Sequence, residues 1–215
     1  MALISEEDKK IIKEKFEKEL EEDVKIIYFT EHFKCQFCRE TKEILETLAG
    51  IADKIMLDVH EFEKEKDLVA KYKIDKIPAT LIFGKREYKI RFFGIPSGYE
   101  FSTLLEDIID VSKGKSRLKD EVKEEIKKID QSAHIQVFVT PTCPYCPIMV
   151  HLAHQMAIEN DKIMADMVEV IEFPHLAQKY KVMGVPKIVI NETRNVVGAV
   201  PEEILLEEMK AAIGI

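Results

Sequence analysis

All four cysteines of the chain stand in two Cys-x-x-Cys pairs, Cys35-Gln36-Phe37-Cys38 and Cys143-Pro144-Tyr145-Cys146. Each pair is followed by an apolar residue and a proline, Ile77-Pro78 and Val185-Pro186, with 43 residues from Cys35 to Pro78 and 43 from Cys143 to Pro186. The pairs lie 108 residues apart in a chain of 215. An i, i+3 spacing where a helix opens brings two sulfurs within disulfide reach. The attacking species in exchange is the thiolate, and a free Cys is mostly protonated near neutrality. A helix mouth helps, because its dipole and unpaired N–H groups favour the anion. Exchange then runs as attack, mixed disulfide and release by the second thiol. In that chemistry Cys35 and Cys143 are the nucleophiles, and Cys38 and Cys146 resolve.

Two blander readings compete. Zinc ribbons also pair Cys-x-x-Cys motifs, but on short knuckles, whereas these pairs open long helices in separate halves; no metal is assigned. Structural disulfides without turnover are the other. His151 and His154 do not extend Cys146 into a metal cluster. On a helix His151 is rotated roughly 140° from Cys146, and His154 lies about 12 Å up the axis; both read as helix-surface or interface residues. The flanks of the pairs differ. Pro144, Pro147 and Thr140-Pro141-Thr142 stiffen the second, while Lys34 and Arg39 flank the first. Different reduction potentials are expected, with the second pair the stronger substrate-facing site. His32 is near the first pair, but a loop histidine is more often without a special role.

The elements that position these pairs also repeat. Val24–Phe29 and Ile135–Val139 are apolar, β-rich runs just before each pair, and Lys71-Tyr72-Lys73-Ile74 matches Lys179-Tyr180-Lys181-Val182 at the same offset of 108. Glu61-Phe62 and Glu172-Phe173 break that register, which implies compensating insertions. Each half reads as helix, strand, dithiol helix, strand, short helix, hairpin, helix. In the first half these are a helix from about Ser5, strand 24–29, a helix from the dithiol to Leu48, strand 55–59, helix 64–72, a hairpin over 80–93 and helix 99–109. In the second they are helix 119–129, strand 135–139, a helix from Cys143, strand 163–171, helix 175–180, hairpin 187–197 and helix 202–212. The expected fold class is α/β: two tandem units, 1–113 and 114–215, each a mixed central sheet flanked by helices. The polar junction Ser112–Ser116 is short, so the halves should pack together rather than swing.

Hydrophobic residues make up 46%, enough for packed cores, and Lys+Arg 32 against Asp+Glu 40 gives a net charge of −8. Phosphate binding needs a basic surface, so nucleic acid is excluded as a partner class. No apolar stretch is long enough to span a bilayer. The start, Met1-Ala2-Leu3-Ile4-Ser5-Glu6-Glu7-Asp8, lacks a basic segment and an apolar core, so no secretory signal is expected and a cytoplasmic location follows. Paired cysteines in a reducing compartment are more often redox-active than structural, with hyperthermophiles as the exception. Charged residues at 33%, no Trp and only three Asn lean toward a hot-living source.

The strand, the Cys-x-x-Cys helix and the later apolar-Pro step resemble the thioredoxin fold, and Cys143-Pro144-Tyr145-Cys146 is similar to the glutaredoxin active sequence. Two such units in one chain resemble the protein disulfide oxidoreductases of hyperthermophilic archaea and bacteria, two-unit relatives of protein disulfide isomerase. The resemblance implies cis peptide bonds before Pro78 and Pro186, which would face Cys35 and Cys143. Ile77 and Val185 would pair their main chains with an extended substrate segment. It implies reduction, oxidation or isomerisation of protein disulfides, no bound cofactor beyond the redox-active disulfides, and electrons from a thioredoxin reductase-like flavoprotein. A dithiol electron carrier dedicated to a peroxidase, with a peroxiredoxin as partner, is the enzymatic alternative; a thioredoxin-fold binding module with inert disulfides is the non-enzymatic one. The chain departs from many thioredoxins in one respect: Phe29 and Val137 stand six residues before each first Cys, where those carry a buried acid.

Overall fold

In the computed structural model, which describes residues 3–215, eight strands form one sheet with helices on both faces. Met1 and Ala2, the start of the segment read for a leader, lie outside the described residues. Helix α1 (Glu6–Glu19) opens at Ser5, whose Oγ accepts the Asp8 N–H at 3.1 Å; this satisfies one unpaired helix donor. The first unit continues with β1 (Val24–Thr30), α2 (Cys38–Ile51), β2 (Ile55–Glu61), α3 (Lys66–Lys71), β3 (Ala79–Phe83), β4 (Ile90–Phe93) and α4 (Glu100–Lys113). The second has α5 (Asp120–Lys127), β5 (Ala133–Val139), α6 (Cys146–Glu159), β6 (Ile163–Glu169), α7 (Pro174–Lys179), β7 (Lys187–Ile190), β8 (Arg194–Val197) and α8 (Glu202–Ile213). The order of elements agrees with the sequence reading.

The register corrects that reading in one place. α2 and α6, β2 and β6 begin and end at the same offset of 108, as do α3 and α7. Glu61 is matched by Glu169, not by Glu172, and no insertions are needed between the dithiol and the proline.

Strand order is β2-β1-β3-β4-β6-β5-β7-β8. β1 and β5 are the central strands of their units, and their alternate residues feed two cores. Val24, Ile26 and Tyr28 point to the face covered by α1, α2, α4, α5, α6 and α8; Ile27 and Phe29 point to the face covered by the short α3 and α7. Strands buried on both faces read as near-continuous apolar runs, broken here by Lys25 in β1 and by His134 and Gln136 in β5.

The halves share a sheet. β4 pairs parallel with β6, from Ile90↔Ala165 to Phe93↔Val168. Arg91 and Asp166, opposite each other in that register, form a buried two-pronged ion pair, Nε–Oδ1 2.7 Å and Nη2–Oδ2 2.7 Å. Arg91 Nη1 also donates to the carbonyls of Tyr72 and Lys73, just past the end of α3, and His134 Nε2 lies 2.6 Å from Asp166 Oδ2. Burial alone would raise the Asp166 pKa, but the Arg91 charge and His134 hold it well below the usual carboxylate range. The expected packing of the two halves is thus a continuous hydrogen-bonded ladder with a charge clamp across it.

Candidate functional site

β1, β2, β4, β5 and β6 all run in the same direction, since β1 and β4 are each antiparallel to β3 and β4–β6 and β5–β6 are parallel. The carboxyl ends of β1 and β5 therefore emerge at one edge of the sheet. Cys35 and Cys143 follow those ends, and α2 and α6 pack into the same core. Both dithiols consequently sit on one edge and one face.

Each pair is closed as a disulfide, Cys35–Cys38 and Cys143–Cys146, with Cα–Cα separations of 5.5 Å. The helices open at Cys38 and Cys146, one turn later than expected. Cys35 and Cys143 lie in the turn before the helix rather than belonging to it. Phe37 and Tyr145 are the N-caps and supply no side-chain hydrogen bond, so nothing local competes for the unpaired N–H donors of the first turn. Cys38 and Cys146 are buried, and Cys35 is partly exposed. Cys143 is only 7% exposed. The sequence reading favours the second pair as substrate-facing, yet the more open sulfur position is Cys35.

The segment before Cys143 is tied to the other half. The loop between β4 and α4 crosses the seam: the Tyr99 N–H donates to the Pro141 carbonyl at 3.1 Å, and the Ile95 N–H to Glu172 Oε1 at 2.6 Å. Gly94 and Gly98 permit this approach. Both have positive φ, +97° and +61°, and an added Cβ would meet Glu169 Cβ at 2.6 Å or the Pro141 carbonyl oxygen.

The peptide bonds Ile77-Pro78 and Val185-Pro186 are cis, as the resemblance implies. The register places them: Phe29 faces Ala79, and Phe138 faces Lys187, so each proline lies beside the carboxyl end of its central strand. The carbonyls of Pro78 and Pro186 accept from Gly94 and Gly198. Among the described residues the main-chain groups of Ile77 and Val185 have no hydrogen-bond partner.

Phe29 and Val137, at the positions of the missing acids, are fully buried. Other buried acids line the same edge, and sequence reasoning missed them. Glu100 begins α4 at 1% exposure; Thr103 Oγ1 donates to its Oε2 at 3.0 Å, and its Oε1 has no partner among the described residues. Burial, reinforced by the charge of Asp107, pushes its pKa up to about 8. Glu172 is likewise raised, to about 7, by burial and by the neighbouring Glu169, whose own carboxyl is raised by burial. No sequence signal marks these residues, because an acid in a first helical turn or after a strand reads as solvated. Tyr28 was also missed: its hydroxyl donates to the Cys38 carbonyl at 2.7 Å.

The remaining candidates fall into place. His151 and His154 are interface residues on α6, bonded to Asp110 and Asp107 of α4 at 2.9 and 2.5 Å. His32 is exposed, with Nε2 2.9 Å from Glu61 Oε1. Tyr72 and Tyr180 occupy matched clusters, with Lys71 and Glu87 in one half and Lys179 and Glu192 in the other. The two sulfur pairs close on themselves on separate helices, and among the described residues no group of three metal-ligating side chains could hold an ion. Among them, too, no helix is long and apolar enough to cross a membrane.

This arrangement is found in known proteins. A thioredoxin domain model matches residues 133–211. The alkyl hydroperoxide reductase AhpF of Xanthomonas campestris pv. phaseoli is 25% identical over 153 residues, 71% of this chain and 27% of that protein. The chain spans 20–28% of the length of the curated relatives it matches. A solved structure of AhpF from Enterococcus faecalis superposes with a TM-score of 0.88 at 25% identity, covering 96% of this chain and 99% of the other. The protein disulfide oxidoreductase of Aeropyrum pernix k1 superposes with a TM-score of 0.91 at 31% identity, covering 98% of this chain and 94% of that one. Two closed dithiols on one sheet edge, each beside a cis-proline, and a likeness of that extent place this chain in the protein disulfide oxidoreductase family of tandem thioredoxin-fold thiol–disulfide oxidoreductases.

Proposed function

We propose that the chain passes electron pairs between its two dithiols and the disulfides of other proteins, one dithiol in each of the units 1–113 and 114–215. The observation that carries this reading is the pairing, in each unit, of a helix-mouth disulfide with an unpartnered main-chain edge at Ile77-Pro78 or Val185-Pro186. A client segment adds to that edge as a short strand, which brings its disulfide to Cys35 or Cys143 with little sequence demand. In the reductive direction the Cys35 or Cys143 thiolate attacks one client sulfur. A mixed disulfide forms and the other client sulfur leaves as a thiolate that takes a proton. Cys38 or Cys146, deprotonated, then attacks the mixed disulfide; the enzyme disulfide closes and the second client sulfur leaves. Two electrons have moved from dithiol to client. Oxidation of a client is the reverse; in isomerisation another client thiolate attacks the client sulfur of the mixed disulfide, forms a new client disulfide and expels Cys35 or Cys143 as the thiolate, with no net transfer of electrons.

The electrons come from a thioredoxin reductase-like flavoprotein acting on the enzyme disulfides; no cofactor is held by the chain itself. Delivery of those electrons to a peroxidase of the peroxiredoxin type is a second reading, favoured by the likeness to the alkyl hydroperoxide reductase AhpF across nearly the whole chain. One comparison separates them: insulin-disulfide reduction and peroxiredoxin-dependent peroxide consumption, measured with the intact chain, Cys35→Ser, Cys143→Ser and the two combined. Loss of insulin reduction in either variant supports the proposal. Insulin reduction that survives the two substitutions combined in one chain overturns it. Peroxide turnover without insulin reduction gives the second reading. Failure of both reactions, with cysteines that alkylate slowly near neutral pH, leaves a binding module with inert disulfides.

A further inference from the structure

The constant offset of 108 gives each rim position of one site a counterpart at the other. At the first site the opening turn of α2 carries Arg39 and Glu40, the turn after β2 carries Glu63, and the approach to the cis-proline carries Asp75 and Lys76. At the second site the matched residues are Pro147, Ile148, Ile171, Met183 and Gly184. All five charged positions have become uncharged. Three of the replacements are large, apolar and open to solvent: Ile148 is 55% exposed, Ile171 61% and Met183 95%. Tyr145, between the two cysteines, is 62% exposed. The first site has one comparable residue, Phe33 at 97%, set beside His32 and Lys34.

An exposed apolar rim lowers solubility and contributes nothing to the core, so its presence marks a surface that another molecule covers. Its place identifies the occupant. The rim adjoins a disulfide and the unpartnered main chain of Val185, so the occupant is a polypeptide in extended form that carries sulfur. Met183 supplies an adaptable contact that suits clients of varied shape. The charged rim of the first site would strip water from Arg39, Glu40 or Asp75 to receive the same segment, at a cost in affinity.

We infer that the second dithiol is the site for cysteine-bearing segments with apolar flanks, the kind an unfolded chain exposes, and that the first dithiol discriminates against them. This rests on the exchange chemistry proposed above and adds the chemistry of the client. The step is the one already balanced: the Cys143 thiolate displaces one client sulfur as a thiolate and forms the mixed disulfide.

The test uses the full chain with Cys35→Ser, Cys38→Ser and Cys146→Ser, so that Cys143 is the single thiol. After reduction and removal of reductant it is mixed with the homodisulfide of a short peptide whose cysteine is flanked by Leu and Val, or by Glu and Lys. Formation of the mixed disulfide is followed by mass spectrometry. The apolar peptide should react about tenfold faster, the factor expected for one additional half-buried apolar side chain. Ile148→Glu with Met183→Asp should cut the preference to about twofold or less, on the same scale. The converse protein keeps Cys35 as its only thiol and carries Glu40→Ile with Asp75→Met; it should gain the preference. Equal rates for the two peptides at Cys143, or a preference that survives the paired substitution, overturns the inference while leaving the exchange chemistry standing. A Cys143 that forms a mixed disulfide with neither peptide sinks the exchange chemistry, and the inference with it.

Discussion

Glu100→Gln probes the seam between the halves. The carboxyl is 1% exposed, has one hydroxyl donor and one unpartnered oxygen, and titrates at about 8 against an ordinary 4.5. Between those two values the folded chain holds a proton that the unfolded chain has released. Stability from this group is therefore complete below the ordinary pKa and is lost as pH rises through 8. The shift corresponds to roughly 5 kcal/mol when the loss is complete, at about 1.4 kcal/mol per unit, and to about 3 kcal/mol at pH 7. Glutamine removes the ionisation but leaves an amide to be satisfied, at about 1 kcal/mol. The variant should match the parent near pH 5 and exceed it by about 4 kcal/mol at pH 8.5. Guanidinium unfolding of both oxidised proteins at the two pH values measures this. The difference between the proteins isolates Glu100 from Glu172 and His151, whose raised pKa values act in the same direction. A difference independent of pH would refute the burial argument, and so would a Gln variant less stable than the parent at pH 8.5.

Arg91→Met leaves the buried Asp166 carboxylate with His134 as its remaining partner, which should cost about 3 kcal/mol in denaturant unfolding. Because Arg91 and His134 hold the Asp166 carboxyl low, stability from that pair is present above its ordinary pKa of 3.8 and lost as pH falls through the lowered value; acid unfolding of the parent should show it, and the variant should unfold at higher pH. Gly98→Val forces a side chain into a left-handed position against Pro141. In the reduced protein it should speed alkylation of Cys143 several-fold, because the loop holds Pro141 two residues before that cysteine, and leave Cys35 unchanged; equal effects on both cysteines would remove the seam loop as the cause. Tyr28→Phe deletes the hydroxyl that donates to the Cys38 carbonyl and should lower stability by about 1 kcal/mol, read as a small drop in the unfolding midpoint.

Much of this protein was legible without coordinates. Two Cys-x-x-Cys pairs, each with its apolar-Pro step at a common spacing, carried the chemistry and the duplication, because both depend on residues close in the chain. The order of helices and strands followed from local periodicity, and Ser5 marked the start of α1. Other features depended on residues far apart in sequence. Nothing in Ile90–Phe93 says that this short arm of a hairpin becomes the strand that joins the two halves, or that Arg91 meets Asp166 across it. Glu100, Glu169 and Glu172 look like any of the chain's solvated acids; tertiary packing removes them from water and raises their pKa values. Local pattern determines which groups can react and what elements hold them. Desolvation and charge pairing, which set how they react, are properties of the neighbours that tertiary packing supplies.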